Sequence, residues 1–182
     1  MSNNINDYDK YNISDFLSEL IESYSTQSDI NIPGNIEHRI NWITNIDWGN
    51  PEDSGAYIHR YLKRYTKFTK YHIEKLIGRQ EKLNTLVFAD LGCGPGTASL
   101  AILDLIHERT IFPDVKHVII ELIDHKLSAL DCASNIIRNF VNKCNIDIKL
   151  ELITNMSFTY SDRPLRMYSD PRLILCTNMI CE

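Results

Sequence analysis

The order of apolar and polar positions predicts several helices first, and then strands that alternate with helices. Apolar residues recur at helical spacing after Ser14, which is a suitable N-cap for a first helix. A second helix follows a polar loop, and we expect Ile36, Ile40 and Ile43 to face inward from it. The pattern therefore predicts that residues 1–82 form an N-terminal helical region that covers a substrate or a partner.

A third helical segment spans about residues 51–77. Asn50 and Pro51 form a typical helix start, and Gly78 is a typical stop. Five aromatic residues recur at spacings of four, four, three and three, which places them on one stripe: Tyr57, Tyr61, Tyr65, Phe68 and Tyr71. Because such a stripe is more often core than ligand site, we expect it to face the interior.

The pattern changes after residue 82. Short apolar or alternating runs, typical of strands, occur at 86–89, 118–124, 146–153 and 172–178. Helical spacing separates the first three of these runs. The order predicts an α/β fold with a mostly parallel sheet, so residues 83–182 are expected to form one sheet-based domain.

A glycine-rich turn follows the first predicted strand. The run from Asp90 to Thr97 reads Asp-Leu-Gly-Cys-Gly-Pro-Gly-Thr. Glycine permits tight turns and close approach of a ligand, and the next helix begins with free N–H groups. The dinucleotide fingerprint, counted from Gly92, needs glycine where Thr97 stands, and the P-loop lysine is lacking. The turn therefore predicts a nucleotide-type site with an acidic strand end, a poor match for phosphate.

This Asp-x-Gly-x-Gly-x-Gly run resembles motif I of the class I S-adenosylmethionine (SAM)-dependent methyltransferases. A second acid, Asp124, ends the second predicted strand, as in that family. The resemblance covers residues 85–182 and implies a Rossmann-like core, with SAM as cofactor. It implies direct methyl transfer from the sulfonium to an acceptor that could be RNA, protein or a small molecule.

The resemblance also implies roles for individual residues. Asp90 would hold the methionine amino group, Asp124 the ribose hydroxyls, and His125 would flank the adenine. Asn155 would read the adenine amino group, and Asn178 would lie beside the methyl group. The turn would approach the methionine and ribose through these residues: Gly92, Cys93, Gly94, Gly96 and Thr97. The sequence contains neither the Asn/Asp-Pro-Pro-Tyr/Phe nor the Pro-Cys signature, so no catalytic residue is assigned.

The composition limits the cellular location and the partners that the sequence suggests. The 182 residues carry a net charge of −5, which gives no overall attraction to nucleic acid or to anionic membranes. No apolar run approaches the roughly 20 residues of a membrane span, and the N-terminus lacks the features of a secretion signal. The five cysteines form no CxxC pair, so neither a metal site nor a redox site is predicted. These features favour a cytoplasmic protein with no membrane partner.

The third helix departs from this acidic composition. Its basic residues lie among aromatic ones, as they do in nucleic-acid interfaces, and RNA contacts would come from Arg60, Lys63, Arg64, Lys67 and Lys70. A solvated basic face is the competing interpretation. A looser similarity to methyltransferase-like proteins of small ribosomal subunits, carried by Tyr57 to Leu62 and Gly94 to Ala98, agrees with RNA.

The family's sheet has seven strands, whereas this sequence stops just past the fourth. We expect a fragment, N-terminal helices folded across the fourth strand, or a partner chain or second copy that covers its edge. One alternative function is therefore a SAM-binding module that is inactive alone. Another is a nucleotide-binding α/β protein with a different ligand.

Overall fold

The computed structural model describes residues 12–25, 34–156 and 172–175. Within these ranges, four helices and a π-helical turn precede the first strand. Their bounds are α1 (Asp15–Tyr24), α2 (Ile36–Thr44), α3 (Pro51–Tyr57), the π turn (Ile58–Leu62) and α4 (Lys63–Ile77). Ser14 and Asn50 cap α1 and α3 as predicted, and Gly78 ends α4 with a φ of 65°.

Strands and helices then alternate. Their bounds are β1 (Thr85–Leu91), α5 (Thr97–His107), β2 (His117–Ile123), α6 (Leu127–Lys143), β3 (Lys149–Asn155) and the short β4 (Arg172–Leu175). All pairings are parallel, in the order β3-β2-β1-β4, and β4 pairs with β1 between Val87 and Asp90. The predicted α/β class with a parallel sheet is confirmed.

The main core lies between the sheet and its helices. In α5 every residue from Thr97 to Ile106 is buried, as expected of a helix that is apolar all round. The inward face of α6 and the apolar residues of β1 and β2 belong to the same core, and so do buried residues of α1, the π turn and α4. The sheet is therefore held rigidly enough to position the residues that follow its strands.

One acidic residue interrupts the apolar α5 and binds the N-terminal helices to the core. The carboxylate of Asp104 is 0% exposed, and it accepts hydrogen bonds from the Ser14 N–H (3.1 Å), the Ser14 hydroxyl and the Lys70 ammonium (2.8 Å). Lys70 also pairs with Glu108 at 2.7 Å and is itself 2% exposed. The prediction that Lys70 contacts RNA is therefore wrong.

The aromatic stripe is divided by the π turn. Tyr57 and Tyr61 are buried as predicted, but Tyr65 and Phe68 are 37% and 45% exposed. The positions that α4 buries instead are Thr66, Thr69, Lys70 and Ile73. Because a π turn inserts one extra residue, it rotates the following helix by about 100°. The predicted inward face is thus correct before the turn and displaced by about one position after it.

The second helix is exposed, contrary to the sequence prediction. None of the residues of α2 is buried, and Ile36 and Ile40 are 72% and 37% exposed. Ile43 and Trp42 only pack at the edge of a small cluster around Ile46, Tyr57 and Tyr61. The apolar spacing therefore predicted the helix correctly, but the prediction that Ile36 and Ile40 face inward is wrong, and of the three only Ile43 packs against that cluster.

Among the described residues, no helix combines the length and the apolar character that crossing a membrane would require.

Candidate functional site

The register of the sheet brings the predicted site residues to one edge. Leu91, Ile123 and Asn155 are aligned across β1, β2 and β3. Asp90 and Asp124 flank the first two of these positions in sequence, so both acids lie at the carboxyl end of the sheet. This edge is where open parallel α/β sheets bind ligands.

The turn between β1 and α5 adopts the backbone that its glycines permit. Gly92, Gly94 and Gly96 all have positive φ values, of 62°, 49° and 84°. The Gly96 N–H donates to the Cys93 carbonyl at 2.7 Å, and α5 begins at the next residue. A Cβ on Gly96 would lie 3.1 Å from a methyl group of Ile137, so the turn also packs closely on α6. The backbone conformation therefore favours glycine at all three positions, and close packing on α6 favours it at Gly96 as well.

Asp90 is a buried carboxyl group with one satisfied oxygen. Its Oδ2 accepts hydrogen bonds from the Ser99 N–H (3.1 Å) and the Ser99 hydroxyl (2.8 Å), in the first turn of α5. Its Oδ1 has no hydrogen-bond partner within the described part of the chain. Burial raises the pKa of Asp90 to about 7, with a smaller contribution from Asp124, against the lowering effect of the Ser99 hydrogen bonds. Asp90 is thus poised to accept a proton or a cationic donor.

Asp124 holds the two loops of the site together. Its Oδ2 accepts from the Gly94 N–H at 3.1 Å, and its Oδ1 accepts from the Lys126 N–H at 3.1 Å. The ring Nδ1 of His125 lies 3.3 Å from Oδ1, with 60% of the His125 side chain exposed. Each carboxylate oxygen has about two acceptor positions, so Asp124 keeps capacity for further donors.

Cys93 contributes to the site through its backbone N–H group. Its N–H donates to the Ile123 carbonyl at 3.1 Å, which joins the turn to β2. The side chain is buried, and burial, then the nearby Asp90 and Asp124 charges, raise the pKa of the thiol far above its usual range. A thiol of this kind stays protonated and is a poor nucleophile.

The other predicted residues are placed as follows. The carbonyl oxygen of Asn155 accepts from the Asp124 N–H at 3.2 Å, so β3 contributes its backbone directly to the site. Thr97 is the first residue of α5 and is buried. Asn178 lies outside the described residues.

Sequence reasoning missed two residues of this site, Ser99 and Lys126. Ser99 occupies the third position of α5, where a helix N–H lacks an internal partner, and this place in the helix is the signal that could have identified it. Lys126 gave no such signal for its side chain, because its ammonium donates to the carbonyl oxygens of Thr44 and Ile46, about 80 residues earlier.

The chemistry of the edge favours a cationic or hydroxyl-bearing ligand. Two buried carboxylates flank a turn of backbone amides, and carboxylates accept hydrogen bonds from ammonium groups and hydroxyls. A phosphate placed beside both would be repelled. In the described part of the chain, no group of three or more His, Cys, Asp or Glu residues could hold a metal ion.

No protein-family model matches the sequence, and the search of curated proteins also found no match.

Proposed function

We propose that this chain is a SAM-dependent methyltransferase that transfers the methyl group directly from the sulfonium to an acceptor. The observation that carries the proposal is the buried Oδ1 of Asp90, which has no hydrogen-bond partner among the described residues and lies near the glycine turn and Asp124. An unsatisfied buried carboxylate oxygen is costly, and a ligand ammonium would satisfy it. The strand order β3-β2-β1-β4 supports a Rossmann-like core for residues 83–182.

The residues of the site fit the groups of SAM. Asp90 would accept from the ammonium group, Asp124 from the ribose hydroxyls, and the backbone of 92–96 would lie against the ligand. The sulfonium, when bound, supplies the methyl group as an electrophile. The task left to the protein is to hold the acceptor in line with it and to exclude water. A protonated, buried Cys93 agrees with transfer that forms no covalent enzyme intermediate.

Two alternative functions would give different results in binding and turnover assays. A SAM-binding module that is inactive alone would bind SAM without turnover. A nucleotide-binding protein with another ligand would prefer NAD or ATP, which the two carboxylates disfavour because each ligand carries phosphates. The absence of a membrane-spanning helix among the described residues is compatible with a cytoplasmic setting, which we propose as well.

Substitution of Asp124 tests the site. Asp124→Ala should weaken S-adenosylhomocysteine binding by about 2 kcal/mol, roughly thirtyfold, because hydrogen bonds to a charged group are lost. Titration calorimetry measures the affinity. The exposed Asp131 on α6 provides the control, Asp131→Ala. Asp124→Asn is a milder second variant, because its one acceptor oxygen can still serve one of the two loop amides. Unchanged affinity in both Asp124 variants would remove Asp124 from the ligand site.

One observation favours RNA as the acceptor. The exposed face of α4 carries Tyr65 and Phe68, and Arg64 and Lys67 lie among them. The ring of Tyr65 stacks on that of Tyr61, with centroids 5.8 Å apart and planes inclined by 8°. Exposed rings among cations are suited to stack bases and pair with phosphates.

A charge-reversal pair tests this surface. Arg64→Glu with Lys67→Glu should weaken binding of a fluorescent single-stranded RNA by at least about tenfold at low salt, because phosphate contacts dominate such binding. Fluorescence anisotropy measures it. The control is Lys149→Glu, at the amino end of β3. Equal losses in the two variants would indicate a general charge effect and would contradict a specific surface on α4.

A further inference from the structure

Lys126 makes a contact that the proposed ligand site does not require. Its backbone N–H donates to Asp124, while its ammonium donates to the carbonyl oxygens of Thr44 and Ile46, each at 2.8 Å. One residue therefore contacts both a carboxylate of the site and the C-terminal end of α2.

The segment that Lys126 contacts is exposed along most of its helix. We call residues 36–50, which comprise α2 and the turn after it, the cap segment. The last carbonyl groups of a helix lack internal donors and carry the negative end of its dipole, so an ammonium is a favourable partner for them. None of the residues of α2 is buried, and segments with few buried contacts open at low cost.

A second contact places the cap segment against the same loop. A Cβ on Gly49 would lie 3.7 Å from the Cβ of Ser128, in the first turn of α6. Ile46 is 1% exposed and packs with Tyr57 and Tyr61, so the segment is anchored at its C-terminal end. The Lys126 contacts lie at this same end, so Lys126 and the cluster around Ile46 together hold the cap segment beside Asp124.

We propose that Lys126 is a positioning residue that keeps the cap segment closed beside Asp124 and thereby slows the release of a bound ligand. The identity of the ligand rests on the proposed function, but the contact between Lys126 and the cap segment does not depend on it. Hydroxyl groups bound to Asp124 fix the loop from Asp124 to Lys126, and a fixed loop holds the ammonium against α2. Because linked equilibria are reciprocal, a closed cap segment favours the bound ligand in turn.

The chain contains its own probe of this segment. Its two tryptophans, Trp42 and Trp48, both lie in the cap segment, and both are partly buried. Quenching of their fluorescence by acrylamide therefore reports the opening of the cap segment alone. The test variant is Lys126→Met, which keeps the apolar stem and removes the charge. Lys149→Met is the matched control, because Lys149 lies at the opposite end of the sheet.

Without ligand, acrylamide should quench the tryptophan fluorescence of Lys126→Met more strongly than that of the wild type. Quenching in Lys149→Met and in Lys126→Arg should equal that of the wild type. S-adenosylhomocysteine should reduce quenching in the wild type and much less in Lys126→Met. Its dissociation, followed by stopped-flow tryptophan fluorescence, should be at least about tenfold faster in Lys126→Met, because both charge-assisted hydrogen bonds of the ammonium are lost. A purely structural role would lower the melting temperature without changing the dissociation rate.

Two results would overturn the proposal. If ligand-free Lys126→Met quenches like the wild type, the ammonium does not hold the cap segment. If the ligand binds but leaves the rate of its release equal in Lys126→Met and Lys149→Met, the segment is not coupled to the site. Failure of the wild type to bind any adenosyl ligand would sink the proposed function instead, and the ligand-free quenching alone would then decide whether Lys126 holds the segment.

Discussion

Replacing Asp90 by asparagine should remove a pH-dependent cost to folding, so the stability of the variant relative to the wild type should rise with pH. The carboxyl group is 0% exposed, and burial raises its pKa from 3.8 to about 7. A group whose folded pKa is raised stabilises the fold fully below its unfolded pKa, and this stability is lost as pH rises through the folded pKa. Asp90 should therefore oppose folding increasingly between pH 3.8 and about pH 7.

The size of the effect follows from the same two pKa values. Each pH unit inside that window costs about 1.36 kcal/mol, so Asp90 alone should cost about 2–3 kcal/mol between about pH 5 and about pH 8. Asparagine does not titrate. The stability difference between Asp90→Asn and the wild type should therefore grow by that amount over this range. The asparagine amide group, which would lie where Oδ1 has no partner, adds a constant offset that cancels in the comparison.

Urea unfolding of both proteins at the two pH values measures the difference. Titration of all other groups cancels between variant and wild type, and Asp147→Asn, which removes an exposed carboxylate, is the control. A difference that stays constant from about pH 5 to about pH 8 would refute the reasoning, because it would mean that Asp90 ionises normally in the folded protein.

Two further substitutions test what holds the site in place. Gly96→Ala should destabilise the protein by about 1–3 kcal/mol in urea unfolding, because its φ is positive and a Cβ would lie 3.1 Å from an isoleucine methyl of α6. Gly78→Ala has the positive φ and open space, so it should cost less, and equal costs would refute the packing argument. Asp104→Ala should cost about 3–5 kcal/mol in the same assay, because it leaves the buried Lys70 ammonium without its innermost partner. Asp147→Ala breaks an exposed pair and should cost far less; a similar loss in both would contradict the buried network.

Local signals in the sequence were sufficient to predict most helices and strands and to place Asp90 and Asp124 at strand ends. The apolar run of β1 and the alternation of β3 identified strands, and Asn50 and Gly78 marked helix ends through groups within a few residues. Asp90 and Asp124 could be placed together because parallel strands share one carboxyl edge. These inferences depend only on spacing and on rules of chain connection.

The sequence-based predictions were wrong where distant contacts or an irregular turn determine which side chains are buried. The π turn at Ile58–Leu62 has no recognised sequence signal, and it displaced the inward face of α4 by one position. Lys70 seemed a surface cation because its partner Asp104 is 34 residues away. Lys126 likewise holds carbonyl groups about 80 residues earlier.

The most direct test of the central proposal is titration calorimetry of the wild-type chain with S-adenosylhomocysteine, with NAD as the comparison ligand. Circular dichroism first establishes that the chain is folded. The site at Asp90 and Asp124 predicts that S-adenosylhomocysteine binds with a dissociation constant well below about 1 mM and much more tightly than NAD. A folded chain that binds S-adenosylhomocysteine no better than about 1 mM, or that prefers NAD, would contradict the proposal.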